Sequence, residues 1–129
     1  VISLSRVPWI TFVIRRLYGV AGALHLRGNG MYKRYAWPSA NWGSMHIEGG
    51  AMAAYRREIE SAPDPRAKRK EIEERLKALA SPFRTAHNFG VEEIIDPRDT
   101  RPLLCKFIKA AQRVLKDMLG PPNSPGFLP

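Results

Sequence analysis

The segment Tyr18-Gly19-Val20-Ala21-Gly22 follows, after Arg15-Arg16-Leu17, an apolar run from Val7 to Ile14 (VPWITFVI). Small residues after a strand-like run leave main-chain N–H groups bare enough to face a ligand. Fixed N–H donors of this kind suit an oxyanion hole, where they meet charge developing on an oxygen. The same composition also serves a plain tight turn, because glycine takes backbone angles that other residues avoid. Side chains offer less. His25 and His46 have no carboxylate or second histidine at metal-ligand spacing, so a structural or surface role is expected and no metal is called for. Asp96, Asp99 and Arg101 read as turn and helix-capping residues. Tyr35, Trp37 and Trp42 read as packing residues, with flanking of a flat ligand as the alternative. No paired carboxylates and no Ser/His/Asp array are recognisable.

Cys105 is the single cysteine, which excludes an intrachain disulfide and a thiolate zinc site. It falls among Leu104, Phe107 and Ile108 in a helical pattern and reads as a structural thiol. A reducing, cytoplasmic setting follows from this usage.

These groups must be positioned by short alternating elements. Trp9 to Ile14 reads as a buried strand, ended by Arg15 and Arg16. The pattern lapses from Ala23 to Lys33, with a turn at Gly28-Asn29-Gly30. Tyr35 to Trp37 and Trp42 to Met45 read as further short strands. Ile47, Ala51, Met52, Tyr55 and Ile59 give one apolar face to a helix over residues 47–59. Gly49 and Gly50 weaken its first turn, and close backbone approach would account for them.

Asp64-Pro65 is a helix start, an N-cap followed by proline at the first helical position. That helix runs to about Ala80, with Ala67, Ile72, Leu76 and Leu79 on its apolar stripe. Lys70–Glu74, Glu71–Arg75 and Glu73–Lys77 stand at ion-pair spacing along a solvated face. A short helix over Phe83 to Asn88 ends at Gly90, and Val91 to Ile95 reads as a strand. Thr100 caps a last helix with Leu103, Leu104, Phe107, Ile108, Ala111, Leu115 and Met118 on one stripe. Gly120-Pro121-Pro122 stops it, and residues 119–129 form a proline-rich tail.

The 129 residues suffice for one small domain, and 44% hydrophobic with 26% charged residues is ordinary for a folded chain. No apolar run approaches the ~20 residues that span a bilayer, so no membrane partner is expected. The net charge of +9 favours polyanionic or phosphorylated partners, yet it is scattered and carries no nucleic-acid motif. Alternation of strands and helices defines an α/β class. The low strand count, and a first residue of valine just before a strand, read as a partial domain cut from something longer, or as a chain that has lost a leader.

Several ordered segments resemble one family. VPWITFVIRRLYGVAG is similar to its strand and Tyr-Gly-small-Ala loop, with HLRG (His25–Gly28) downstream. YAWPSA (Tyr35–Ala40) is the most specific match. WGSMHIEGGAMAAY (Trp42–Tyr55) resembles a Met-Gly-x-x-Gly-Ala segment. SPFRTAHNFGVEEIIDPRDTRPLL (Ser81–Leu104) resembles the closing Ile-Asp-Pro-x-Asp-Thr-Arg pattern. The family is the β-type carboxyltransferase subunit of biotin-dependent acyl-CoA carboxylases, the propionyl-CoA and acetyl-CoA carboxylase group. The family loop is often Tyr-Gly-Gly-Ala-Tyr, so Val20 adds a side chain while keeping a main-chain donor.

The resemblance implies a crotonase-like (ClpP/crotonase) superfold, with residues 1–118 as the C-terminal portion of the carboxyltransferase C-domain. It implies transfer of a carboxyl group from carboxybiotin to the α-carbon of an acyl-CoA. Main-chain N–H groups of Val20 and Ala21, with Gly19, would form the oxyanion hole for biotin, and Tyr18, Gly22 and Trp37 would bind it. Biotin on a partner carrier domain and acyl-CoA are the implied cofactor and substrate. A biotin carboxylase and biotin carrier subunit, the N-terminal carboxyltransferase domain and further copies of the chain are the implied partners. The isolated chain is then expected to be inactive, with apolar helix faces covered by other elements. The alternatives are a CoA-binding crotonase-type hydratase or isomerase fragment and a basic module binding nucleic acid or protein. The first needs a catalytic Glu that is not recognisable here. Salt-dependent retention on nucleic acid would favour the second.

Overall fold

A computed structural model describes residues 6–20, 22, 30–88, 90–118 and 120. Ala21, His25 and most of the proline-rich tail lie outside the described residues. Strand β1 (Trp9–Val13) is followed almost at once by β2 (Arg16–Tyr18), β3 (Tyr32–Ala36) and β4 (Asn41–Gly43). Helices α1 (Ile47–Ala54), α2 (Arg56–Glu60), α3 (Pro65–Leu79) and α4 (Pro82–His87) come next. Strand β5 (Glu93–Ile94), a 3₁₀ turn (Pro97–Asp99) and α5 (Thr100–Met118) close the order. The class is mixed α/β, as expected from the alternation.

The strands form two small parallel sheets, β1-β3-β5 and β2-β4. Each sheet takes one strand from two kinked segments. In the first segment the kink is at Ile14-Arg15; in the second it is the turn Trp37–Ala40, which contains Pro38. Pairing runs through the kink: Trp37 N–H donates to Val13 O at 3.0 Å and Asn41 N–H to Arg15 O at 2.6 Å. The Ser39 hydroxyl adds a bond to Ile14 O at 2.7 Å. The two arginines therefore do not end the strand region; Arg16 opens β2. Strand β3 also begins three residues earlier than its apolar residues indicate, and Trp37 falls outside it. Strand β5 is shorter than the Val91–Ile95 reading: its register with β3 is Tyr35↔Glu93 and Ala36↔Ile94, with the Glu92 and Ile95 N–H groups bonding β3 on either side.

Two apolar clusters hold these elements. Val13, Ala36, Ala40 and Val91 pack with Leu17, Trp42 and Ala86. Ala51, Ile59 and Ile72 pack with Met52, Tyr55 and Leu76. The expected helix over residues 47–59 is broken at Tyr55, where φ is −115° and ψ is 21°. Hydrogen bonding continues on both sides of the break: Tyr55 N–H donates to Ala51 O at 3.0 Å and Ile59 N–H to Tyr55 O at 2.9 Å. A shared apolar stripe therefore survives while the axis changes. At Gly50 a Cβ would come within 2.6 Å of the Met45 side chain, whereas at Gly49 it would meet nothing within 4 Å. The close approach is thus made by a side chain, and only at Gly50.

Helix α3 starts where Asp64-Pro65 places it. Asp64 Oδ1 accepts from Arg66 N–H at 2.9 Å and Ala67 N–H at 3.1 Å. Of the anticipated ion pairs, Lys70–Glu74 stands at 4.0 Å, while Glu73 pairs with Arg69 at 2.7 Å and Glu71 with Lys68 at 3.0 Å. Arg75 lies over the Tyr55 ring instead, 5.3 Å from its centroid. Helix α5 buries Phe107 and Ala111 but leaves Ile108, Val114 and Leu115 exposed. Cys105, read as a structural thiol, is exposed too: it sits one step off the buried line through Phe107 and Ala111.

Candidate functional site

Strands β2 and β4 run parallel and end together, with Tyr18 opposite Gly43. The carboxyl ends of parallel strands are the usual ligand edge of α/β sheets, because the chain must turn away there and expose main-chain groups. Gly19 N–H extends the ladder by one bond to Gly43 O at 2.9 Å. The chain then turns through Gly19, whose φ of +62° lies in the left-handed region open to glycine. Gly22 N–H closes the turn on Gly19 O at 3.0 Å. Gly19 therefore shapes the turn and has no N–H left to give. Val20 projects from it, 75% exposed. No group among the described residues accepts from its N–H.

Behind the turn lies Arg34, which the sequence reading did not single out. Strand β3 alternates, and Arg34 shares the inward face with Ala36. It is only 5% exposed. Its Nη2 donates to Gly22 O at 3.0 Å and its Nη1 to Gly90 O at 3.3 Å. Its main chain is clamped as well: the Arg34 N–H donates to the Glu92 carboxylate, and Glu92 N–H donates to Arg34 O at 2.9 Å. The available signal was a charged pair, Lys33-Arg34, between tyrosines in a segment with strand-like ends.

Tyr18 separates two depressions. One is mainly apolar and lined by Tyr18, Trp42, Met45, Ile47, Leu76 and Leu79. The other is polar and lined by Arg16, Tyr18, Asn41, His46, Glu48 and Lys77. The His46 ring meets Tyr18 edge-on, 5.6 Å between centroids at 77°. Tyr18, Gly19, Val20 and Gly22 are thus brought together, and Trp42 joins them. Trp37 lines neither depression; its indole N–H donates to Thr100 Oγ1 at 2.9 Å, tying the kink to the first residue of α5. Tyr35 stacks on Phe12 across β1 and β3, 5.6 Å between centroids. Desolvation, then the nearby Glu92 and Glu93 carboxylates, push its hydroxyl pKa upward.

Asp96 caps the 3₁₀ turn, accepting from Arg98 N–H at 2.9 Å. Among the described residues no three His, Cys, Asp or Glu side chains gather as a metal site. None of the described helices is long and apolar enough to cross a membrane. What the turn offers chemically is neutral main-chain donation beside an aromatic and aliphatic wall.

The kinked parallel strand pairs and their helices make a mixed α/β fold, and its likeness to the carboxyltransferase structures described below places it in the crotonase-like class. The chain belongs to the carboxyl transferase domain family, whose model matches residues 2–119. Among curated relatives, the methylmalonyl-CoA carboxyltransferase 12S subunit of Propionibacterium freudenreichii subsp. shermanii is 44% identical over 101 residues, 77% of this chain and 19% of that protein. The chain thus spans about a fifth of that relative's length. A crystal structure of the transcarboxylase 12S hexamer with methylmalonyl-coenzyme A and methylmalonic acid bound superposes with a TM-score of 0.71 at 31% identity. It covers 98% of this chain and 24% of the other. The β subunit of P. aeruginosa geranyl-CoA carboxylase gives a TM-score of 0.75 at 20% identity, a likeness of fold, over 95% of this chain and 24% of that one.

Proposed function

We propose that this chain is the biotin-side portion of an acyl-CoA carboxylase carboxyltransferase, in which residues 1–118 belong to the C-domain. The observation that carries the reading is the Val20 N–H, which has no acceptor among the described residues and is presented by the Gly19 turn at the ends of β2 and β4. The donor set fits a biotin ring. It is uncharged, it is main-chain, and it follows two residues after Tyr18, which with Trp42 lines an apolar depression. When bound, carboxybiotin supplies the activated carboxyl group, and its ureido oxygen gains negative charge as that group departs.

The Val20 N–H would donate to this oxygen, and the resemblance assigns the second donor to Ala21. Gly19 sets the Val20 donor by its positive φ, and Gly22 N–H closes the turn on Gly19 O. Fixed donors need no reorganisation when the charge forms, which is where their effect on rate arises. Tyr18 and Trp42 limit water at the ring and so strengthen the donation. The α-proton displaced from the acyl-CoA would pass to the ureido nitrogen that loses the carboxyl group, so no side-chain acid or base is asked of this chain. The acyl-CoA would be held by the N-terminal carboxyltransferase domain, and biotin would arrive on a carrier partnered with a biotin carboxylase. A homo-oligomer fits the hexamer of the 12S relative and the exposed Ile108, Val114 and Leu115 of α5. A cytoplasmic setting accords with the single cysteine.

The test uses the assembled carboxyltransferase containing this chain. Ala21→Pro removes one main-chain donor and should lower turnover about 100-fold, or ~3 kcal/mol, with acyl-CoA affinity retained. Val20→Gly keeps both donors and should be mild. Near-normal turnover in Ala21→Pro would refute the assignment.

A further inference from the structure

Arg34 is only 5% exposed; a guanidinium is costly to bury, and cores accept one when it is paired or fully hydrogen-bonded. Arg34 has neither arrangement. It takes part in none of the ion pairs among the described residues. Its Nε is buried with no partner among the described residues. Its two bonded nitrogens instead reach two carbonyls from distant parts of the chain, Gly22 O at 3.0 Å and Gly90 O at 3.3 Å.

Gly90 is itself closely fitted. Its N–H donates to Thr85 O at 2.8 Å, and a Cβ there would stand 2.4 Å from Thr85 Cγ2. One acceptor is thus fixed to the end of α4, and the other is the last residue of the glycine turn. The planar fork of arginine can hold two such acceptors in one geometry; a lysine ammonium lacks that fork.

We propose that Arg34 is a positioning residue for carboxyl transfer: its guanidinium clamps the Gly19–Gly22 turn to the Gly90 segment and sets a positive charge, held in no ion pair among the described residues, behind the Val20 donor that meets the oxyanion. This rests on the biotin-side reading above. The chain of contacts is short. Arg34 fixes Gly22 O, Gly22 N–H fixes Gly19 O, and that carbonyl shares its peptide plane with the Val20 N–H. Release of Gly22 therefore frees the peptide that carries the donor. The charge acts in the same direction, since a cation in a low-dielectric interior stabilises negative charge appearing nearby. A buried charge that violates the interior rule is expected where function requires it.

Arg34→Met and Arg34→Lys in the assembled carboxyltransferase test this, read as kcat and acyl-CoA KM with a thermal melt alongside. Arg34→Met removes charge and fork. It should lower kcat roughly 100-fold, the effect of a small misplacement of reacting groups, while acyl-CoA KM stays within about twofold. Arg34→Lys keeps the charge alone and should recover part of the loss, to about tenfold below the parent. A folded Arg34→Met enzyme with parental kcat overturns the proposal. So does a lowered melting temperature with full kcat per folded molecule, the result of a purely structural role. If Arg34→Met does not fold, Arg34→Lys decides: parental kcat overturns the proposal, and a tenfold loss at unchanged KM supports it. Ala21→Pro run in parallel separates the two ideas. Normal turnover there removes the underlying reading; impaired turnover with an unaffected Arg34→Met removes only the role of Arg34.

Discussion

Gly49 and Gly50 are adjacent in α1, neither has positive φ, and the two should answer the same substitution with opposite sign. Alanine in a helix is more stable than glycine by roughly 0.5–1 kcal/mol, because glycine loses more backbone freedom on folding. At Gly49 nothing stands within 4 Å of an added Cβ, so Gly49→Ala should show that gain. At Gly50 the same methyl would lie 2.6 Å from Met45 Cγ and Sδ and 3.0 Å from Met45 Cβ. Cγ and Sδ can swing away in a new rotamer, but Cβ moves only with the backbone, so its 3.0 Å approach requires a main-chain shift, at an overpacking cost of about 1–3 kcal/mol. Subtracting the propensity gain leaves Gly50→Ala between neutral and ~2 kcal/mol destabilised. Thermal unfolding resolves the difference at about 3–5 °C per kcal/mol for a chain of this size. Met45 also lines the depression beside Tyr18 and Trp42, so its methyl resonance should shift in Gly50→Ala and hold in Gly49→Ala. Equal stabilisation by both substitutions would refute the steric argument, and destabilisation by Gly49→Ala would refute the assignment of open space.

Asp64→Ala should cost about 1 kcal/mol in urea unfolding, since two N–H groups at the start of α3 lose their acceptor, and Asp64→Asn should restore most of it. Arg98, through its side chain and then its N–H, holds the Asp96 carboxyl below the usual value. A carboxyl depressed in the folded state stabilises fully above its unfolded pKa, and that contribution fades as pH falls through the folded value, on the acid side of about pH 4. Arg98→Ala should move the Asp96 carboxyl titration upward, as followed by carbon-13 NMR; an unmoved titration would show that the contact is not made in solution.

What could be read from the sequence depended on whether its cause was local. Helix α3 was legible because Asp64-Pro65 encodes its start within two residues, and Ile72 and Leu76 mark its inner face. The break at Tyr55 was not, because the apolar spacing is the same on a straight and a bent axis, and hydrogen bonds resume on each side. Strand β2 escaped because Arg16 reads as a terminator. Its three residues become a strand through pairing with β4, more than twenty positions away. Cys105 has apolar neighbours along the chain, but one residue's rotation about α5 carries it outward, which neighbour type does not encode.

The candidate site divides along the same line. Gly19 was legible, since a left-handed turn after an apolar run leaves few other residues to use, and the structure places φ at +62° there. Arg34 was not legible, because binary patterning assigns arginine to the solvent face. Strand β3 nonetheless puts it inward beside Ala36, in reach of Gly22 O and Gly90 O. The departure from patterning sits against the one turn whose Val20 donor stands unpartnered among the described residues. A stable core alone would be better served at position 34 by an apolar residue of similar length. The coincidence of a costly buried cation with an exposed donor is therefore an argument about function, drawn from the element that sequence patterning describes least well.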